Sequence, residues 1–234
     1  MNAWEDPRIA RGMTAQFATR RARIAAGEKP IGWKVGLGAP AAMQRLGLTA
    51  PVVGFLMQKA ILPGGGSTSF KGYTKPVAEC EIAVRMAKDL AAGASSNDAL
   101  AAIKEIVPAI ELADFDPPPT PDTLDAVLAA DIYNRHVIFG GASRAGGGVA
   151  GLTSRLIRRG VESASTTDPE ALTGKLTDIV AHVANTLAAY GEKLSAGDVI
   201  ITGSITPPIM LDADETGLTH VLDPIGEVSV HFSW

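Results

Sequence analysis

Glu79, Cys80 and Glu81 stand together in Lys75-Pro76-Val77-Ala78-Glu79-Cys80-Glu81-Ile82-Ala83-Val84, and Glu111 sits inside the apolar run Ile106-Val107-Pro108-Ala109-Ile110-Glu111-Leu112. A carboxylate buried alone loses its hydration and gains nothing in return. Residues two apart on a strand share a face, so Glu79 and Glu81 project into one space and Cys80 faces the opposite, packed side. If Glu111 reaches that space, three carboxylates crowd one point, and a divalent cation relieves their repulsion. Hard oxygen ligands suit magnesium, manganese or calcium better than zinc. The rival reading, two solvated strand acids and a buried ion pair, leaves Glu111 in an apolar strand unexplained. The expected chemistry is that of a metal-dependent enzyme.

Lys34 is the only charge in Ile31-Gly32-Trp33-Lys34-Val35-Gly36-Leu37. A lysine near a substrate anion stays charged, whereas desolvation lowers its pKa towards acid–base work. A strand lysine can equally snorkel to solvent on its apolar stem. Gly36-Leu37 and Thr202-Gly203-Ser204 lie at the ends of expected strands. Glycine there admits close backbone approach, and the neighbouring N–H and hydroxyl groups can hold a carboxylate.

These residues need elements to position them. Asp6 to Ala26 reads as a helix, with Asp6 as cap, Pro7 in the first turn and Ile9, Met13, Phe17 and Ile24 near one face. A strand follows over Ile31 to Gly38, then a short helix from Pro40 to Leu46. From Val52 onward, short apolar runs alternate with Gly and Pro. Glu79 to Met86 alternates as a strand, and Ser96-Asn97 caps a helix through Glu105 that leads into a strand ending at Leu112. Asp116-Pro117-Pro118-Pro119-Thr120-Pro121 reads as an exposed turn. His136 to Phe139 forms a strand. Asp168-Pro169-Glu170 starts a helix running to Tyr190. Val199 to Gly203 is a buried strand, and Val228, Val230 and Phe232 mark a closing one. Mixed strands with two or three helices indicate an α+β fold. The expected organisation is an N-terminal helical arm and strand over residues 1–50, joined to a mixed-β domain over residues 51–234 in one structural unit.

The chain has 234 residues, 46% hydrophobic and 20% charged, enough for one sizeable globular core. A formal charge of -4 argues against nucleic-acid binding, which needs a basic field. One cysteine excludes an internal disulfide and a Cys-based zinc site. No basic region followed by an apolar stretch opens the chain, and no run approaches the ~18 apolar residues of a membrane span. A cytoplasmic protein without a membrane partner is the expectation.

The order Gly32-Trp33-Lys34-Val35-Gly36-Leu37, Ala78-Glu79-Cys80-Glu81-Ile82-Ala83, Val107-Pro108-Ala109-Ile110-Glu111, Ala196-Gly197-Asp198-Val199-Ile200-Ile201-Thr202-Gly203-Ser204 resembles the fumarylacetoacetate hydrolase superfamily. The likeness is strongest to its 2-oxopent-4-enoate hydratase and 4-oxalocrotonate decarboxylase branch. The resemblance implies a mixed β-sandwich or roll holding Mg2+ or Mn2+ through Glu79, Glu81 and Glu111. It also implies Lys34 as an active-site acid or base, with Gly36, Leu37, Thr202, Gly203 and Ser204 against a small 2-oxo acid. A glutamate rather than an aspartate at position 111, and no histidine before His136, point away from C–C hydrolysis of the acylpyruvate type. His136, His182, His220 and His231 are left outside the site.

The implied reaction is hydration of a substrate such as 2-hydroxypenta-2,4-dienoate, with decarboxylation of 2-oxohex-3-enedioate as the alternative. The branch commonly carries an aspartate after Leu-Gly-x-x-x-Pro, whereas Leu46-Gly47-Leu48-Thr49-Ala50-Pro51 leads here to Val52-Val53-Gly54. A chain without that acid could instead be a non-catalytic partner subunit. A homo-oligomer is expected from the family's habits.

Overall fold

The computed structural model describes residues 2–234. The N-terminal half contains α1 (Pro7–Ala25), β1 (Pro30–Gly36), α2 (Pro40–Leu46), β2 (Val52–Met57), β3 (Ile61–Leu62), β4 (Ser67–Ser69), β5 (Pro76–Met86) and α3 (Ser96–Ala102). Then come β6 (Ile103–Asp114), α4 (Leu124–Ala129), β7 (Asn134–Phe139), β8 (Arg144–Ala145), β9 (Thr153–Arg158) and β10 (Val161–Thr166). The chain closes with α5 (Leu176–Ala189), β11 (Val199–Ser204), β12 (Ile209–Met210), β13 (Gly217–Asp223) and β14 (Gly226–Ser233).

Among the described residues the strands form two sheets. The larger runs β2-β1-β11-β5-β6-β7-β3, with β12 beside β5 and β8 beside β6; the smaller runs β10-β9-β13-β14-β4. The fold is therefore α+β with mixed sheets, as expected. β1 pairs in parallel with β11 and antiparallel with β2, so the strand within residues 1–50 is an interior strand of the main sheet.

α1 begins where Asp6 accepts the Arg8 N–H and Pro7 occupies the first turn. It packs on α4 through Gly12, where a Cβ would lie 2.5 Å from the Leu128 Cβ. Buried Gln16 ties three elements together by donating to the carbonyls of Val53 (3.2 Å) and Leu128 (2.8 Å). That clasp sets the end of α4 against β2, which bears on the site.

The sheets meet where β13 and β14 pack on β6. His220, fully buried on β13, donates from Nδ1 to the Ala109 carbonyl at 2.9 Å and accepts from the Ser154 hydroxyl at 3.0 Å. Burial pushes the His220 pKa down to about 4. His220 is thus a sheet-to-sheet fastener.

Three expectations need correction. The helix capped near Ser96 ends at Ala102, because Ile103 and Glu105 pair with Met86 and Arg85 and belong to β6. The helix expected from Asp168 starts at Leu176: Glu170 folds back to accept the Leu176 N–H at 2.8 Å, so residues 168–175 form turns before it. There are also five α-helices among the described residues rather than two or three. No helix among them is long and apolar enough to cross a membrane.

Candidate active site

β5 is the central bearer of chemistry. Its neighbours are β11 and β6, and its register sets Glu79 directly opposite Glu111 and Glu81 opposite Ala109. Glu79, Glu81 and Glu111 each offer an oxygen within 4.8 Å of the others. Glu81 and Glu111 are fully buried and Glu79 partly so. Cys80 faces the opposite side, 1% exposed, and burial pushes its thiol up to about 12, so it is packing rather than a nucleophile.

Each carboxylate is half satisfied. Glu81 Oε2 accepts the Gly203 N–H at 2.6 Å, and Glu111 Oε1 accepts from Asn134 Nδ2 at 2.7 Å and from the Lys34 ammonium. Glu81 Oε1 and Glu111 Oε2 are buried with no partner. Bare buried carboxylate oxygens are costly, and here they face the same space as Glu79. Burial, with the charge of Glu111, pushes Glu79 up to about 7; burial and the same neighbours push Glu81 well above the ordinary carboxylate range. This is the donor set that a hard divalent cation completes. A second acidic group, Asp212, Asp214 and Glu215, is different in kind, since Arg158 and Arg159 already neutralise it.

Lys34 lies two strands away from β5, on β1. From β1 to β6 are three strand spacings, about 14 Å in a flat sheet. The Lys34–Glu111 ion pair closes only because the sheet curls around that space. Lys34 is 2% exposed, and its ammonium also donates to the Ile132 carbonyl at 2.9 Å. Burial works against the charged form, but Glu111, with Asp131 and Glu79, outweighs it and holds the Lys34 pKa above its ordinary value. An ammonium has three donors, so one remains after Glu111 and Ile132.

The sequence reading missed what holds Lys34. Asp131, Ile132 and Tyr133 are three consecutive residues with left-handed backbone, at φ 61°, 51° and 64°. That conformation costs roughly 1–2 kcal/mol per residue for L side chains and is least suited to a β-branched one. The turn directs the Ile132 carbonyl at Lys34 and leads into Asn134 on Glu111. Asp131 Oδ1 accepts the Phe55 N–H at 2.8 Å, and burial pushes its carboxyl up to about 7 against the opposing pull of Lys34. Gly54, paired with Lys34 across β1 and β2, leaves room for both: a Cβ there would lie 2.7 Å from Asp131 Oδ1 and 2.8 Å from Lys34 Cγ. No acid lies between Gly36 and Glu79 in the sequence, yet the fold brings Asp131 to the lysine.

Above the carboxylates is a cleft of two lobes, about 140 and 170 Å3, sharing Gly36, Leu37, Glu79, Phe115 and Pro208. Lys34 lines one lobe; Thr202, Gly203 and Ser204 line the other. Leu37 turns left-handed at φ 56°, and a Cβ at Gly36 would meet the Ile132 side chain at 2.9 Å. The Thr202-Gly203-Ser204 segment interrupts the register between β11 and β5 as a bulge, with Gly203 at φ 94°. Its donors are engaged within the protein: Thr202 donates to the Ile82 carbonyl, Gly203 to Glu81 and Ser204 to the Thr206 carbonyl. The bulge therefore orients the Glu81 carboxylate as well as walling the cleft. None of the four histidines lines either lobe, and Arg135 is drawn off by Asp114 at 3.0 Å.

A mixed sheet that gathers three glutamates and a buried lysine at one cleft has the donor set of a divalent-metal site. The chain belongs to the fumarylacetoacetate (FAA) hydrolase C-terminal family, matched over residues 34–230. It is 29% identical to a 4-oxalocrotonate decarboxylase of Pseudomonas putida, over 99% of this chain and 88% of that one. A 2-hydroxyhexa-2,4-dienoate hydratase of Comamonas testosteroni is also 29% identical, over 91% and 82%. The solved 4-oxalocrotonate decarboxylase of Pseudomonas putida G7, complexed with magnesium and adipate, superposes with a TM-score of 0.86 at 28% identity, covering 94% of this chain and 84% of that one. The superfamily resemblance and the fold read from the sequence are borne out.

Proposed function

We propose that this chain is a divalent-metal-dependent lyase that hydrates a small unsaturated 2-oxo or 2-hydroxy acid such as 2-hydroxypenta-2,4-dienoate. The observation that carries the proposal is the pair of unpartnered buried oxygens on Glu81 and Glu111, beside Glu79 and Lys34 at the cleft. Glu79, Glu81 and Glu111 would hold the ion, Mg2+ or Mn2+ by ligand type. A bound ion supplies Lewis-acid stabilisation of the negative charge that develops on the 2-oxo oxygen.

The remaining work falls to the chain. The third hydrogen of the Lys34 ammonium donates to a substrate oxygen and can be delivered to it as charge builds. Glu111 and the Ile132 carbonyl fix the direction of that donation. Gly36 and Leu37 let the substrate approach the β1 backbone, and Thr202, Gly203 and Ser204 wall the carboxylate end. Phe115, Leu37 and Pro208 limit the water that reaches the cleft. A homo-oligomer belongs to the same proposal; Val161 and Trp234 are exposed apolar side chains that an interface would cover.

Decarboxylation of 2-oxohex-3-enedioate is the second reading. The likeness to the Pseudomonas putida decarboxylase over nearly the whole chain favours it. C–C hydrolysis of the acylpyruvate type is disfavoured, because no histidine lines the cleft. A non-catalytic subunit would have no use for a lysine held by a strained turn.

The test is ultraviolet loss of freshly prepared 2-hydroxypenta-2,4-dienoate, with 2-oxohex-3-enedioate in parallel, by protein supplied with Mg2+ or Mn2+. Turnover abolished by chelator and restored by metal supports the proposal, and the product distinguishes hydration from decarboxylation. Metal-loaded protein inert towards both would overturn it.

A further inference from the structure

Resting on that functional reading, we propose that Asn134 positions Glu111 as a one-oxygen metal ligand and so favours Mg2+ or Mn2+ over Ca2+. Glu111 accepts both of its hydrogen bonds on Oε1, from Asn134 Nδ2 at 2.7 Å and from the Lys34 ammonium, and Oε2 is buried with no partner. Glu81 repeats the pattern, with Oε2 on the Gly203 N–H and Oε1 bare. A carboxylate only accepts, so it is the amide nitrogen of Asn134 that faces Glu111.

Asn134 reaches Glu111 because β7 carries a bulge. β6 and β7 pair Glu111 with Val137 and Leu112 with His136, and regular alternation would next set Arg135 against Ala113. Asn134 takes that place instead. Ala113 lies two residues beyond Glu111 on β6, so the residue opposite it shares the Glu111 face. The extra residue in β7 therefore puts an amide beside the carboxylates where an arginine would have stood. The displaced Arg135 pairs with Asp114 at 3.0 Å. An arginine on the cluster would compete with a metal cation for its negative charge, whereas a neutral amide donates without cancelling any of it.

Lys34 shares the same oxygen, yet its ammonium also serves the Ile132 carbonyl and, in the proposed reaction, the substrate. Asn134 lines neither lobe of the cleft, and its side chain makes no other hydrogen bond with the described residues. Its donation stays in place as substrate comes and goes, and it reaches the ion only through Glu111. With one oxygen of Glu111 and one of Glu81 tied back, each carboxylate supplies a single ligand atom. Ca2+ takes about six to eight oxygens and readily uses both oxygens of a carboxylate, whereas Mg2+ demands a near-ideal octahedron.

The experiment titrates Mn2+ into metal-free protein, reading the free ion by electron paramagnetic resonance, with Mg2+ and Ca2+ as competitors. It compares wild type with Asn134→Leu, which keeps the bulk and removes the donor, and with Asn134→Ala as a second variant. Urea denaturation of the metal-free proteins confirms that each variant is folded. Outer-shell partners of a metal ligand are worth about 10- to 100-fold in affinity, so losses of that size are expected for Mn2+ and Mg2+. Ca2+ binding should fall by about tenfold less, because a Glu111 freed from Asn134 can offer it both oxygens. Equal losses for all three ions would make Asn134 a structural residue only and overturn the proposal, as would unchanged affinities or failure of both variants to fold. Wild-type protein that takes up no Mn2+ would instead overturn the metal-dependent reading beneath it.

Discussion

Gly54→Ala tests the architecture around Lys34 with a single methyl group. The added Cβ would sit 2.7 Å from Asp131 Oδ1, 2.8 Å from Lys34 Cγ and 3.1 Å from Lys34 Cδ, where ordinary contact begins near 3.4 Å. Something must therefore move by ~0.6 Å or more, the gap between those distances and ordinary contact. Neither neighbour moves freely. Asp131 is held by the Phe55 N–H, and the lysine stem ends on Glu111 and the Ile132 carbonyl. The backbone of Gly54 is not left-handed, so strain enters only through the clash. Overpacking of this kind costs about 1–3 kcal/mol. A catalytic group displaced by ~1 Å loses on the order of a hundredfold in rate, so a kcat reduced about ten- to a hundredfold is expected. Urea denaturation of the metal-free protein reads the first quantity and turnover with Mn2+ the second. A Gly54→Ala enzyme with wild-type stability and kcat would refute the placement of Lys34.

Lys34→Met leaves Glu111 without its ammonium in a buried setting, so loss of about 3–5 kcal/mol of stability is expected in the metal-free protein. Its kcat should fall about 10²–10⁴-fold, the range of a lost general acid, while Mn2+ still binds; calorimetry and turnover check the two halves. His220 supplies a pH signature remote from the site. Its folded pKa of about 4 lies below the ordinary 6.5, so the unfolded chain takes up the proton first as pH falls. Stability is therefore lost between pH 6.5 and 4, by about 3 kcal/mol from this group, and the difference between wild type and His220→Gln in denaturation midpoints across that window reads it. Cys80 should resist thiol reagents at pH 8 in the native protein and react only on unfolding, because its thiol is buried and pushed up to about 12. Rapid labelling without loss of structure would contradict that burial.

Strand period carried much of the site into view. Alternation alone separates Glu79 and Glu81 from Cys80, and an acid in an apolar run marks Glu111. α1 matches its expected span to within a residue at each end, since Asp6 and Pro7 are local signals, and α2 matches at both ends. Non-local causes were less legible. Residues 103–105 have helical neighbours but are captured by β5, and the β9–β10 hairpin carries little apolar alternation because much of β10 is exposed. The turn at 131–133 is the clearest case. Asp tolerates left-handed backbone as a single residue, but Ile and Tyr do not favour it, so a run of three could be revealed only by the packing of α1, α4 and β2, and with it the acid beside Lys34.

The central claim is that Glu79, Glu81 and Glu111 form one divalent-metal site, and calorimetric titration of Mn2+ into chelator-stripped protein tests it most directly. The account predicts one ion per chain, weaker binding below pH 7 as the Glu79 carboxyl retains its proton, and loss of the signal in a folded Glu81→Gln variant. Absence of Mn2+ uptake by the native chain, or unchanged uptake by that variant, would contradict it.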